Sequence, residues 1–131
     1  MNYLFEASSV FKALMDNIVE ALAGGYTLEL ARYGLGNILW KEYAIRQRAK
    51  MEEIRNLARL LKQVLSLMKT LTIDCHEEGI LDMAGDLRIT FYDASYVYYA
   101  KKNGMSLVTE DQDLIEKAKP YIKALKLKDI L

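Results

Sequence analysis

The sequence has 131 residues, which is the length of one domain, and 52% of them are hydrophobic, which is enough for a core and argues against disorder. Lys and Arg number 18, as do Asp and Glu, so no field of the whole molecule attracts nucleic acid or a membrane surface. A nucleic-acid substrate would have to be held by a local patch. We therefore expect a single domain over residues 1–131.

Cysteine usage and the N-terminus bear on where the protein acts. A single cysteine, Cys75, excludes an intramolecular disulfide and fits a reducing, intracellular setting. The adjacent His76 does not complete the set of about four spaced ligands that a zinc site needs, so both residues are interpreted as structural. No basic region followed by a long apolar run opens the chain, and no stretch approaches the ~20 apolar residues of a membrane helix. The sequence predicts a soluble cytoplasmic protein.

The first half of the chain alternates short apolar runs with longer segments of helical spacing. Paired glycines, Gly24 and Gly25, end the first helical segment, as glycines commonly do at a helix C-terminus. In chain order the patterns predict a strand over 2–5, a helix over 8–23, an extended piece over 27–30, and a helical hairpin made of helices over 31–48 and 50–69.

The second half continues the alternation. The patterns predict a strand over 71–73, a helix near 75–85, a helix from Asp93 to a cap at Gly104, a strand over 106–108, a helix over 111–118 and an edge strand over 121–124 or 124–127. Strands that alternate with helices indicate an α/β fold, in which a small parallel sheet is covered by helices on both faces.

Three carboxylates stand where a strand or loop gives way to a helix: Glu6, Asp93 and Asp111. Ligands of parallel α/β sheets bind beyond the carboxyl ends of the strands, so we expect these side chains to gather at one edge. Clustered carboxylates repel one another unless a cation lies between them, and oxygen ligands suit Mg²⁺. Such an ion could activate water against a phosphodiester. The competing explanation for Glu6 is stabilisation by a helix dipole, worth about 0.3–1 kcal/mol.

Helix capping competes with metal binding for the other two acids. Asp93 lies three residues after Thr90, and Gln112 lies three residues after Thr109. Both spacings are typical of capping boxes. Asp111 is not the third residue of its own box, so capping explains it less well than it explains Asp93.

The predicted hairpin carries two further patterns. Its basic residues could hold a phosphate backbone, although a solvated helix face interleaved with acids is the favoured interpretation. Its apolar stripe is broader than one core-facing side, so part of it could bury against a second subunit or a partner helix. The stripe comprises Leu57, Leu60, Leu61, Val64, Leu65 and Met68.

Four segments in order give the chain a resemblance to the PIN-domain family, and closely to the small archaeal VapC-type toxins. The resemblance covers the whole length of the chain. The segments are an opening strand that ends in an acid at 3–9, the helix of the second family acid at 35–42, a third motif at 89–94 and a fourth at 107–111.

This resemblance implies a Mg²⁺- or Mn²⁺-dependent endoribonuclease on a PIN fold. It also implies a homodimer that is neutralised by a small VapB-type antitoxin, a segment of which occupies the active-site groove. Position by position, the catalytic metal ligands would be Glu6, Asp93 and Asp111, the supporting residues Asn37 and Thr109, and the auxiliary acid Asp113.

The chain departs from the family pattern at two of these places. Glu6 replaces the usual aspartate, and one extra methylene moves its carboxylate by roughly 1–1.5 Å. Gly34 stands where the family usually has glutamate, and it supplies no ligand. The nearest acids are Glu29, which precedes the helix, and Glu42, which lies ~12 Å further along its axis. Neither is an obvious replacement.

Two other classes of protein compete with the nuclease. One is a catalytically impaired PIN protein that acts as a binding or regulatory partner, which the glycine at position 34 favours. The other is a phosphoacceptor receiver domain, which needs two adjacent acids after its first strand. Glu6 is followed by Ala7, so that requirement is not met.

Overall fold

The computed structural model describes residues 2–131, and five short strands within them form one parallel sheet. The strands lie in the order β3-β2-β1-β4-β5, and every pair is parallel. The predicted α/β class is therefore confirmed. The strands are β1 Tyr3–Phe5, β2 Tyr26–Leu28, β3 Lys69–Leu71, β4 Ser106–Val108 and β5 Ala124–Leu125.

Helices cover both faces of the sheet, as the alternation of strands and helices predicts. Consecutive strand residues point to opposite faces, so Phe5 packs with the first three helices of the chain, whereas Leu4 packs with the last three. The helices are α1 Ala7–Met15, α2 Leu30–Ala44, α3 Met51–Leu65, α4 Glu77–Leu87, α5 Phe91–Asn103 and α6 Gln112–Ala118, with 3₁₀ turns at Val19–Leu22 and Leu127–Ile130. None of these helices is long and apolar enough to cross a membrane.

The prediction of one helix over 8–23 is wrong, because α1 ends at Met15. Asn17 takes a left-handed conformation with φ of 58°, which Asn tolerates better than most residues. The amide of Ile18 donates to the Ala13 carbonyl, and the Asn17 amide donates to Leu14. These two bonds close a Schellman motif and satisfy the last carbonyls of the helix.

The hairpin is shorter than predicted, and less of its apolar stripe is exposed than the sequence indicates. Helices α2 and α3 pack together, but α3 ends at Leu65, and the next strand is Lys69–Leu71 in place of the expected 71–73. Most of the apolar stripe lies in the protein's own core, which leaves Leu60, 45% exposed, as its one strongly exposed member.

The strand order creates a crevice at the centre of the sheet. From β1 the chain moves outward through β2 and β3 on one side, and it later adds β4 and β5 on the other side. The direction of winding thus reverses between β1 and β4, and open α/β sheets bind ligands at such a point. Glu6 follows β1, and Thr109 follows β4.

Candidate active site

The backbone around Glu6 is tied to both central strands. The Glu6 amide donates to the Val108 carbonyl at 2.9 Å. The buried Ser9 hydroxyl bonds to the carbonyls of Glu6, at 2.7 Å, and of Val108, at 2.8 Å. These contacts hold the end of β1 against the end of β4, and they fix the point from which the Glu6 side chain leaves the sheet.

Two hydroxyls orient the Glu6 carboxylate. Oε1 accepts hydrogen bonds from the Ser8 hydroxyl at 2.5 Å and from the Thr109 hydroxyl at 2.7 Å. Glu6 occupies the N-cap position of α1 but makes no side-chain capping bond. Both bonds use one oxygen of the carboxylate. Thr109, predicted as a supporting residue, therefore lies directly against Glu6. Ser8 was not predicted, although a hydroxyl two residues after the acid was the available signal.

Asp93 lies in the first turn of α5, which begins at Phe91, two residues earlier than predicted, and the other acids act on it electrostatically. The Asp93 amide donates to the Thr90 hydroxyl at 3.1 Å, so the predicted helix cap is present. Burial raises the pKa of Asp93 above its ordinary value of 3.8, and the carboxylates of Glu6 and Asp111 raise it further. Asp113 acts more weakly in the same direction. The fold thus brings the predicted acids close enough to influence one another's charge.

Asp111 is itself the N-cap of α6, so the expectation that capping explains it poorly is wrong. Its Oδ1 accepts from the amides of Asp113, at 3.0 Å, and Leu114, at 3.2 Å. The helix begins at Gln112, one residue later than predicted, and its cap is Asp111, two residues after the Thr109 that the capping-box spacing indicates. Asp113 is exposed, and its carboxylate pairs with Lys117 at 3.4 Å.

A cleft of about 670 Å³ opens beside Glu6 and Asp93. Asn37, predicted as a supporting residue, lies on the same wall, whereas Asp111, Thr109 and Asp113 do not line the cleft. Its lining residues are Glu6, Ala7, Leu30, Tyr33, Gly34, Asn37, Tyr92, Asp93 and Tyr96.

The two acids nearest to Gly34 in sequence are engaged elsewhere. Glu29 pairs with Arg32 at 3.0 Å, and Glu42 pairs with Arg46 at 3.0 Å. Neither lines the cleft, so neither replaces the acid that glycine lacks.

Close packing of two helices accounts for the glycine. A Cβ atom at Gly34 would lie 2.9 Å from the Cβ of Ala7, which is closer than Cβ atoms approach other heavy atoms in folded proteins. Ala7 is buried at the start of α1, and Gly34 lies in the first turns of α2. The tight α1–α2 contact therefore leaves little room for any side chain at position 34.

Tyr96 lines the cleft and lies about one helical turn after Asp93 on α5. Its ring is buried, with 3% of the residue exposed, and its hydroxyl has no hydrogen-bond partner among residues 2–131. Burial raises the pKa of Tyr96 well above its ordinary value, and Glu6 adds to this effect. The Thr27 hydroxyl and the Ala7 amide lower the pKa, which shows that they lie nearby, but neither reaches hydrogen-bonding geometry.

The donor chemistry of the cleft fits a hard divalent cation. Glu6, Asp93 and Asn37 offer only oxygen and amide groups, and the mutual influence of the carboxylates is the kind that a cation relieves. Within the described part of the chain, no three His, Cys, Asp or Glu side chains converge tightly enough to form a metal cage. Mg²⁺ does not need such a cage, since it usually binds one or two carboxylates and keeps several waters.

The fold and this cleft define a class of α/β protein that gathers carboxylates at the switch point of a parallel sheet. A model of the PIN domain matches residues 1–120, and the chain therefore belongs to the PIN-domain family.

Two relatives place the chain among the VapC-type members of the family. It is 36% identical over 124 residues to Exonuclease VapC9 of Pyrobaculum aerophilum, a match that covers 93% of this chain and 90% of the relative. It is also 36% identical over 95 residues to Ribonuclease VapC3 of the same organism, with 70% of each chain covered.

Solved structures agree on the fold. PAE2754 from Pyrobaculum aerophilum superimposes with a TM-score of 0.82 at 33% identity, over 99% of this chain and 86% of that chain. FitAcB from Neisseria gonorrhoeae gives a TM-score of 0.61 at 17% identity, over 94% and 96% of the two chains, which supports the fold alone.

Proposed function

We propose that the protein is a Mg²⁺- or Mn²⁺-dependent endoribonuclease, the toxin of a VapBC-type toxin–antitoxin pair. The observation that carries this proposal is the cleft at the switch point. There Glu6 is held by two hydroxyls and faces the half-buried Asp93, whose pKa is raised by the neighbouring acids. The names of the two VapC relatives, one an exonuclease and one a ribonuclease, support nuclease chemistry.

The proposed roles follow from position. Glu6 and Asp93 would hold the cation. Asp111, whose Oδ1 accepts the capping bonds of α6 and which does not line the cleft, would add its charge as the third carboxylate of the site. A bound divalent cation would make water a better nucleophile and offset charge on the phosphodiester. Thr109 keeps Glu6 oriented, and Asn37 presents its amide to the substrate across the cleft. Asp113 adds negative charge nearby as an auxiliary acid.

Hydrolysis adds one water across a P–O bond. The water oxygen bonds to phosphorus, the bond from phosphorus to the ribose oxygen breaks, and the departing oxygen gains a proton. The proton lost by the attacking water passes to solvent, since the two carboxylates that line the cleft would be engaged with the cation.

A circular single-stranded RNA tests the endonucleolytic part of the proposal. A circle has no ends, so only internal cleavage converts it to a linear product. We expect linear product with Mn²⁺ and none with EDTA, visible on a denaturing gel. Degradation of linear RNA from one end, with the circle left intact, would show that the protein is an exonuclease instead.

Metal binding is expected to stabilise the fold. At a Mn²⁺ concentration one hundred times the dissociation constant, the native state gains about 2.7 kcal/mol, or roughly 6–10 °C in Tm for a chain of this size. Differential scanning calorimetry with Mn²⁺, and then with EDTA, measures the shift. An unchanged Tm at millimolar Mn²⁺ would contradict the metal site.

The second candidate function is that of a catalytically impaired PIN protein that acts as a binding or regulatory partner. The contact between Ala7 and Gly34 favours it, because this contact leaves no room for a fourth acid. Binding of RNA without EDTA-sensitive cleavage of either linear or circular RNA would support this alternative.

The finer parts of the proposal concern assembly. We propose a VapB-type antitoxin that covers the cleft, a homodimer, and a cytoplasmic location. Support for an apolar contact comes from the outer side of α2, where Trp40 is 53% exposed and Tyr43 is 41% exposed, and from Ile45, 65% exposed, at the end of that helix. Exposed apolar residues that lie near one another often mark a protein–protein contact.

A further inference from the structure

The Tyr96 hydroxyl is the one buried side-chain polar atom among residues 2–131 that lacks a hydrogen-bond partner. Leaving a buried hydroxyl unsatisfied costs about 1–3 kcal/mol, so such groups are rare unless a ligand satisfies them. The ring needs no hydroxyl to pack. Phenylalanine would fill the same space without this penalty, so the hydroxyl must be explained by something other than the stability of the fold.

The position of Tyr96 indicates what the hydroxyl serves. Asp93 and Tyr96 are three residues apart on α5 and therefore share one face of the helix, and both line the cleft. The carboxylates of Glu6 and Asp93 act on Tyr96 electrostatically. Tyr33 and Tyr92 also line the cleft with phenol groups, but both residues are exposed, whereas Tyr96 is buried and lies near two carboxylates that can only accept while ionised.

We infer that Tyr96 is a ligand-binding residue of the cleft, whose hydroxyl donates a hydrogen bond to an oxygen that enters beside Glu6 and Asp93. That oxygen belongs either to a water molecule or to the phosphate of the RNA. The inference rests on the proposed function, because it takes the cleft to be the place where water meets a phosphodiester.

Tyr96→Phe removes the hydroxyl and keeps the ring. Tyr99→Phe is the matched control, since Tyr99 is buried on the same helix but donates its hydroxyl to the Thr72 carbonyl, outside the cleft. We expect Tyr96→Phe to melt at or above the wild-type Tm, whereas Tyr99→Phe melts lower because it leaves a carbonyl without its donor. A fall in Tm for Tyr96→Phe as large as that for Tyr99→Phe would overturn the inference.

Two binding measurements distinguish the sources of the oxygen. If the hydroxyl contacts phosphate, Tyr96→Phe should weaken binding of a ten-nucleotide single-stranded RNA about tenfold, measured with Ca²⁺ in place of Mn²⁺ to limit cleavage. If it contacts water, Mn²⁺ affinity measured by calorimetry without RNA should fall about tenfold while RNA affinity stays unchanged.

Both measurements are independent of catalysis, so they decide the role of Tyr96 even if the wild-type protein does not cut RNA. A wild-type protein that does not cut RNA would count against the nuclease proposal alone. If Tyr96→Phe binds both Mn²⁺ and RNA as the wild type does, the hydroxyl has no ligand and the inference is wrong. Equal losses in Tyr99→Phe would also overturn it.

Discussion

Asp93→Asn should lower the rate of RNA cleavage by at least about a hundredfold and, without added metal, should raise the Tm. The activity falls because the variant loses a negatively charged ligand of the cation that acts on the transition state. Stability rises because Asp93 is half-buried among acids. The asparagine side chain has nearly the same shape as the aspartate side chain but carries no charge. Cleavage kinetics and calorimetry of the same preparations measure both effects.

The pH dependence of this stability difference follows from the direction of the pKa shift. The pKa of Asp93 is raised in the folded state, so the native protein binds this proton more tightly than the unfolded chain. Ionisation of Asp93 lowers the free energy of unfolding of the wild type. This loss begins as pH rises above 3.8 and is complete above the raised pKa of the folded state. Asp93→Asn should therefore gain stability over the wild type at neutral pH and lose this advantage below 3.8.

Asp86→Asn provides the control for Asp93→Asn. Asp86 is exposed on α4 and does not line the cleft, so its substitution should change neither cleavage nor the response of the Tm to Mn²⁺. If Asp93→Asn were less stable than the wild type at neutral pH, repulsion among the acids would not be the dominant effect at this position. If it retained full cleavage, Asp93 would not belong to the active site.

Most of the sheet could be predicted because local and global signals agree. Short apolar runs separated by helical patterns produce a parallel α/β fold, and acids that follow strands reach the same edge whatever the details of packing. Glu6 and Thr109 were placed correctly for this reason, since they follow the adjacent strands β1 and β4. The family resemblance added the roles that position alone does not assign.

Features that depend on helix ends were predicted less well. The apolar pattern continues past Met15, so the sequence favours a longer helix, but the left-handed Asn17 ends α1. The cap of α6 likewise lies at Asp111, two residues after the Thr109 that the capping-box spacing indicates. Such shifts involve small differences in energy between neighbouring caps, and tertiary contacts decide between them.

Several particular contacts between distant segments were not predictable from the sequence. Ser8 bonds to Glu6 and accepts from the Glu110 amide, a residue 102 positions away. The unpartnered hydroxyl of Tyr96 is visible only once its surroundings are known. The reason for glycine at position 34 likewise lies in Ala7, which is distant in sequence.

Gly34→Glu, which restores the usual family acid, should destabilise the protein and should not by itself increase cleavage. The new Cβ would meet the Ala7 Cβ at 2.9 Å, and overpacking of this kind costs about 1–3 kcal/mol. The higher helix propensity of glutamate compared with glycine offsets at most ~1 kcal/mol of this destabilisation. The helices must therefore move apart, which displaces the start of α1 beside Glu6.

Ala7→Gly combined with Gly34→Glu should relieve the clash, because it removes the methyl group that the new side chain meets. We expect the destabilisation by Gly34→Glu to be smaller in the Ala7→Gly background, with a coupling energy of about 0.5–3 kcal/mol between the two sites. A double-mutant cycle of denaturant unfolding, which includes Ala7→Gly alone, measures it.

The charge of the restored acid is tested separately from its size. Ala7→Gly/Gly34→Gln has nearly the same shape as Ala7→Gly/Gly34→Glu but no added charge. Without metal, the double variant with glutamate should be less stable than the double variant with glutamine, because a further carboxylate joins the acids around Asp93. With Mn²⁺, the double variant with glutamate should show the larger rise in Tm. If cleavage increases only in the double variant with glutamate, the wild-type protein has exchanged part of its catalytic power for the close packing of α1 on α2. If Gly34→Glu alone is as stable as the wild type, Ala7 does not exclude a side chain, and the absence of the acid needs another cause.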